Sequence, residues 1–336
     1  MRLGYTLVLW LVALLVVASG CTNVDSSLNS TEVNDDSILT PQRLPSDYLV
    51  VKVKDKVVED VQEETEDEFE SEYEYETFER YSRPQLIIHI LDIDSGSAIF
   101  IRTPDEKAIL VNTAGEFAGE KVARLIKEYG YDKLDAVILS DHNVENVGGY
   151  PALVEEIKVE RTFYNGNYYN TKYFRNFVDA AKGHSLNMVD KDFSLELDSF
   201  VDIDIIIPYD TIPLKTSKVD NILVRVRYEN FSMLIAGHCL EACENVFVEE
   251  GTDVKAKVIR VAESGSKYGN TPAFLNMVDP EYAIIEQGVH ASIDLLDFLR
   301  ENDVTVYDTD KKRGDIVITS DGLKFDFSFP EFKKER

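Results

Sequence analysis

Residues 134–149 read LDAVILSDHNVENVGG. Ala136 to Leu139 is a short, unbroken apolar run, as expected of a strand buried on both faces. It stops at Ser140-Asp141-His142-Asn143-Val144-Glu145-Asn146, a polar segment rich in ionisable and amide groups. Gly148 and Gly149 follow, and the next apolar positions predict a helix over about 151–157. Strand, polar loop and helix in succession are the unit of an α/β domain.

The flanks extend the pattern. Upstream, 85–91 reads as a buried strand followed by a turn at Asp94-Ser95-Gly96-Ser97. Residues 98–102 and 108–112 read as two more strands around Pro104-Asp105-Glu106. Val122, Leu125, Ile126 and Tyr129 recur at helical spacing until Gly130 stops the helix. A strand is expected over about 159–163.

Downstream, Ile222, Val224, Val226 and Tyr228 alternate with Arg225 and Arg227, the pattern of a half-buried strand. It pairs with 231–236 across Glu229-Asn230, and 258–261 is a strand leading into the loop 262–270. Thr271-Pro272 is a cap followed by Pro at the first helical position. Strands at 283–285, 304–307, 315–319 and 323–327, with a helix through Leu295, Leu296 and Leu299, close the chain. Two mixed sheets between helices account for this order, so the expected class is α/β with a four-layer αββα sandwich.

The front of the chain differs. Arg2, an apolar run from Tyr5 to Val17, then Ala18-Ser19-Gly20 before Cys21 form a secretory signal pattern. Small residues directly before a Cys resemble a lipobox, in which Cys21 is acylated and becomes the mature N-terminus. The alternative is an uncleaved anchor, since about 17 apolar residues just span a bilayer. Both place the domain outside the cytoplasm, tethered to the cell membrane. A single acyl chain holds a protein weakly, so stable anchoring through Cys21 implies more than one.

From Asp55 to Glu79 acids dominate, among them Glu63, Glu64, Glu66, Asp67, Glu68 and Glu70, with Tyr73, Tyr75 and Phe78 interleaved. Such a block repels itself and buries too little apolar area to fold. The expected organisation is a signal peptide over 1–20, an acidic, disordered stalk over 21–83, the folded domain over 84–330 and a charged tail over 331–336. A stalk of that length reaches roughly 40–50 Å. Asn29-Ser30-Thr31 is a glycosylation sequon within it.

The 336 residues carry 62 acids against 35 Lys and Arg, a net charge of -27. This argues against nonspecific nucleic-acid binding and against adhesion to anionic lipid, both of which need basic residues. Any protein partner is left open. Besides Cys21, Cys239 and Cys243 stand four apart, read as the first turns of a helix. On one helix that spacing suits a disulfide poorly, so two buried or free thiols are expected. With His238 they also offer a soft-metal option.

Six segments together resemble the metallo-β-lactamase-like superfamily, and most closely the extracytoplasmic domain of bacterial DNA-uptake competence proteins. They are HILDIDSGSAIFI at the front, AILVNTAG from Ala108, residues 134–149, FSMLIAGHCLEA from Phe231, residues 257–266, and VTVYDTDKKRGDIVITSDG from Val304. They span essentially the whole folded part, in the family's order. The resemblance implies the αββα fold and one or two metal ions at loops on the sandwich edge, where they activate water.

Carried over position by position, the family's ligands are largely replaced. The first motif His falls on Asp141, the next ligand on Asn143, the Asp two further on at Glu145, and the adjacent His on Asn146. The bridging Asp falls on His238, and the His-His-Gly-Ser box reads Glu263-Ser264-Gly265-Ser266. The supporting Asp is Asn112, and His290 lies near the last family His. Gly148-Gly149 is intact.

Two readings follow. In one the domain is catalytically inactive and has become a binding or accessory module, because Asn143, Asn146, Asn112 and Ser264 are neutral. In the other Asp141, Glu145, His238, Glu263 and His290, with His142 nearby, form a rewired shell for a divalent metal such as Mn, Mg, Ca or Zn. That shell would serve a metal-dependent hydrolase of the phosphodiesterase or nuclease kind.

Overall fold

A computed structural model of the protein describes residues 83–93, 96–208, 220–287, 291–309 and 314–330. All belong to one compact unit, Ser71–Arg336. The expected signal peptide, Cys21, the stalk, most of the charged tail and His290 lie outside the described residues.

Along the chain come β1 (Leu86–Ile90), β2 (Ile99–Arg102), β3 (Ala108–Val111), α1 (Gly119–Glu128), β4 (Lys133–Leu134), β5 (Ala136–Ile138), α2 (Val144–Val147), α3 (Tyr150–Glu156), β6 (Lys158–Val159) and β7 (Arg161–Tyr164). Next are α4 (Lys172–Ala180), β8 (Ser185–Met188), β9 (Phe193–Leu195) and β10 (Asp202–Ile206). The second half holds β11 (Leu223–Tyr228), β12 (Phe231–Ile235), α5 (Glu241–Glu250), β13 (Val258–Arg260), α6 (Pro272–Val278) and β14 (Tyr282–Ile285). It closes with α7 (Ile293–Glu301), β15 (Thr305–Asp308), β16 (Ile316–Ser320) and β17 (Phe325–Ser328).

The first sheet runs β17-β16-β1-β2-β3-β5-β7-β8 and the second β15-β14-β13-β12-β11-β10-β9. Alternation of side chains explains the stacking. Ile99, Ile101, Ile109, Val111, Ala136 and Ile138 face a central core shared with Ile203, Ile205, Val224, Val226, Met233 and Ile235 of the second sheet. The intervening Phe100, Leu110 and Val137 face outward, under α1, α3 and α4. In the second sheet Leu223, Leu234, Ile259 and Ala283 face α5, α6 and α7. Each central strand is therefore apolar on both faces, and the layers read α, β, β, α. The architecture is the metallo-β-lactamase-like αββα sandwich.

Arg225 departs from the half-buried pattern. It is buried on the outer face and bonds Asp204 of β10, directly across in register. Arg227 shares the same carboxylate.

The cysteines correct another expectation. Cys239 and Cys243 form a disulfide, both fully buried. The thiol reading assumed one helix, but Cys239 precedes it. Leu240, at φ -87° and ψ 176°, is the extended cap before α5, which brings the two Cα atoms to 5.2 Å. That distance lies inside the normal range for a bridge. The oxidised sulfurs offer no thiolate, which removes the soft-metal option. Among the described residues no helix is long and apolar enough to cross a membrane.

Candidate functional site

β3 runs parallel to β5, and β12, β13 and β14 are mutually parallel. Their carboxyl ends release the loops at 112–118, 139–143, 236–240 and 261–271. The carboxyl ends of parallel strands are where α/β sheets place ligand sites.

Backbone bonds hold these loops in place. Asn112, in the left-handed region at φ 61°, accepts from the Ser140 N–H at 2.8 Å, and Ser140 O accepts from the Ile222 N–H of the other sheet. Asn221 Oδ1 accepts from the His238 N–H at 2.9 Å. Gly96 and Gly149 allow the closest approaches: a Cβ would overlap Glu145 O at the first and Thr113 O at the second. Those contacts explain why the Gly-Gly pair remains although the ligands around it have changed.

A cleft of about 700 Å³ opens at this edge. Glu145, Asn146, His238, Glu263 and Ser264 line it, together with Lys267, Tyr268 and Asp294. His238 Nε2 lies 3.6 Å from Glu263 Oε1. Glu263 and Ser264 sit at φ 43° and 53°, both left-handed, in a tight turn ended by Gly265. Such backbone costs of order 1–3 kcal/mol per residue and is held by its surroundings. Here Asn270 bonds both the Ala262 N–H and the Ala262 carbonyl, and buried Glu244 accepts from the Asn270 and Thr271 N–H groups. Burial pushes the Glu244 carboxyl above its ordinary range.

Asp141 stands behind this cleft rather than in its lining. Its Oδ1 accepts from the Asn143 N–H at 2.7 Å and its Oδ2 from the Asn146 amide at 2.8 Å. His142 stacks on Tyr169 with ring centroids 3.4 Å apart and planes 7° apart. Burial lowers the His142 pKa, against the pull of Asp141. Thus Glu145, His238 and Glu263 come together, Asp141 is internally bonded, and His290 is outside the described residues.

Three important residues were not read from the sequence. Arg260, at the end of β13, bonds Glu286 through Nε at 2.5 Å and through a second nitrogen. Its remaining terminal nitrogen donates to the carbonyls of Gly237 and Val261. Arg260 and Glu286 are only 5% and 3% exposed, so a neutral ion pair floors the cleft. The signal was an Arg inside the apolar stretch 258–262, since buried charge needs a partner. The third residue is Asp220. Burial pushes its carboxyl up to about 6, and the Asp141 charge acts in the same direction.

The fold family implies metal ions at this edge, and the described residues do not fit a shell for them. The Asp141 oxygens are occupied by N–H donors, Asn146 presents an amide, and a guanidinium lies on the cleft floor. Among the described residues no group of three or more His, Cys, Asp or Glu is arranged to hold a metal.

The class this architecture defines is the metallo-β-lactamase-like sandwich. Among curated proteins, ComE operon protein 3 of Bacillus subtilis (strain 168) is 22% identical over 249 residues, covering 67% of this chain and 32% of that protein. The chain spans about a third of the length of this relative. Among solved structures, the β-hydroxylase CmlA superposes at a TM-score of 0.46 with 11% identity, covering 66% of this chain and 52% of its own. A Cronobacter sakazakii metallo-β-lactamase mutant superposes at 0.41 with 11% identity, covering 57% and 87%. A Thermotoga maritima putative metallo-β-lactamase gives 0.37 with 11% identity, covering 58% and 91%. No family model matches the chain.

Proposed function

We propose that this chain is a lipid-tethered, extracytoplasmic accessory protein whose metallo-β-lactamase-like domain binds a partner without metal-dependent hydrolysis. One observation carries the reading: the cleft holds a closed Arg260–Glu286 pair and an Asp141 carboxylate already bonded to Asn146, in place of a ligand shell. Activating water by a metal needs an open coordination position beside charged or imidazole ligands. The lipobox at Cys21 supports the tether, and the buried disulfide suits an oxidising compartment. The likeness to ComE operon protein 3 supports work beside an envelope machine of the DNA-uptake kind.

The test is turnover. Full-length protein is offered phosphodiester, thioester and lactam substrates with Zn, Mn, Mg or Ca added in turn. No activity above a heat-inactivated control is expected. Turnover abolished by a chelator would overturn the proposal in favour of a rewired hydrolase, which the proximity of His238 and Glu263 favours. The acidity of the cleft opposes a polyanionic substrate for such an enzyme.

A further inference from the structure

The cleft has a charge and a bonding vacancy that its own residues do not fill. Arg260 and Glu286 neutralise each other on the floor. The remaining formal charges in the lining are Glu145, Glu263 and Asp294 against Lys267, with His238 beside Glu263. Glu263 Oε1 faces His238, while Glu263 Oε2 is closed off from solvent and accepts no hydrogen bond among the described residues. A carboxylate oxygen is an acceptor only, so it can be completed only by a ligand that brings an N–H or O–H. Leaving such an oxygen without a donor is costly.

A second feature points to the kind of donor. Tyr268 stands at the cleft wall with 62% of its surface exposed, and the Lys267 ammonium lies over its ring, 5.1 Å from the centroid. Among the described residues Lys267 makes no ion pair, although Glu145 and Glu263 share the cleft with it. The ring face thus already accommodates an ammonium group, and it stays open on a mobile, exposed lysine stem.

We infer that the cleft is a docking site for a lysine- or arginine-bearing segment of a partner protein, with a side-chain cation seated between Glu263, Glu145 and the Tyr268 ring. The occupant is chosen by charge complementarity: a net acidic cleft with an unfilled acceptor and an aromatic face recognises a cation that donates hydrogen bonds. A polyanion meets repulsion here. This inference rests on the binding reading above and adds the chemistry of the partner.

The probe is a fluorescent peptide of four lysines, blocked at both ends, titrated into the full chain in uncharged detergent at low and physiological salt. Binding that weakens about fivefold or more in Glu263→Gln, weakens also in Glu145→Gln, and is unchanged in Glu249→Gln supports the site. Glu249 is an exposed acid on α5, outside the cleft lining, and its variant removes the same charge. Equal losses in all three variants, which would mean diffuse attraction, overturn the proposal. So does absence of peptide binding, or equal binding of a tetraglutamate peptide. Lack of peptide binding in a protein without turnover removes only this inference. Chelator-sensitive turnover removes the binding reading itself.

Discussion

Arg260 and Glu286 sit on adjacent parallel strands, β13 and the end of β14, and meet through two guanidinium nitrogens on a single carboxylate oxygen. The other Glu286 oxygen accepts from the Ser97 hydroxyl at 3.4 Å, which ties the pair to the loop after β1. The pair therefore spans the two sheets at the cleft floor.

Removing one member strands a buried charge. Arg260→Ala or Glu286→Ala is expected to cost about 3–5 kcal/mol, whereas Arg260→Met combined with Glu286→Leu is expected to cost far less. Denaturant midpoints of the three variants check this. Equal losses in the single and double variants would mean that the pair is not coupled.

Asn146 holds Asp141 through a single amide. Asn146→Asp places a second carboxylate against the first, and two such groups share a proton at raised pKa. Folded-state pKa values above the unfolded ones mean that stability falls as pH rises through them. The variant should lose about 1–3 kcal/mol at pH 7 and less at pH 4.5. Urea titrations at the two pH values measure the difference.

The disulfide closes a short loop, with a sequence separation of 4. Chain entropy alone gives such a bridge about 2 kcal/mol. Cys239→Ala with Cys243→Ala should lose about that much. In the native protein, alkylation in denaturant without reductant should leave both cysteines unmodified by mass spectrometry.

His89 is buried beside Tyr129, with ring centroids 4.0 Å apart and neither ring nitrogen bonded. Burial, then the nearby Arg102 charge, lowers its pKa to about 4. A folded-state value below the unfolded one means that the unfolded chain binds the extra proton between about pH 4 and 6.5, so this group destabilises the fold as pH falls. Asp315, also buried and bonded to Tyr129, is pushed up to about 6 and acts in the opposite sense. His89→Phe should therefore gain about 2 kcal/mol at pH 5 relative to its effect at pH 7. A variant whose effect is the same at both pH values would show that His89 does not titrate in this window.

Much of the fold was legible because β3 and β5 carry apolar side chains toward two different cores, which leaves unbroken runs such as 136–139. Residues 164–221 were left without elements. β8 is an edge strand with Ser185 and Met188 exposed, and β9 is the opposite edge, so neither shows a clear alternation. α4 was within reach, since Thr171 caps it and Phe174 and Phe177 are buried three apart. In the cleft, the positions of Glu145, His238 and Glu263 followed from the order of motifs. The Arg260–Glu286 pair did not, because its members are separated by 26 residues and meet only once β13 and β14 lie side by side.

β1 lies between β2 and β16, with Ile87 opposite Thr319. The opening strand of the domain thus waits for a neighbour some 230 residues later in the chain before the first sheet is complete. Contacts so distant in sequence slow folding. During synthesis this keeps the sandwich unassembled until almost the whole polypeptide has emerged, a state that a narrow export channel can thread.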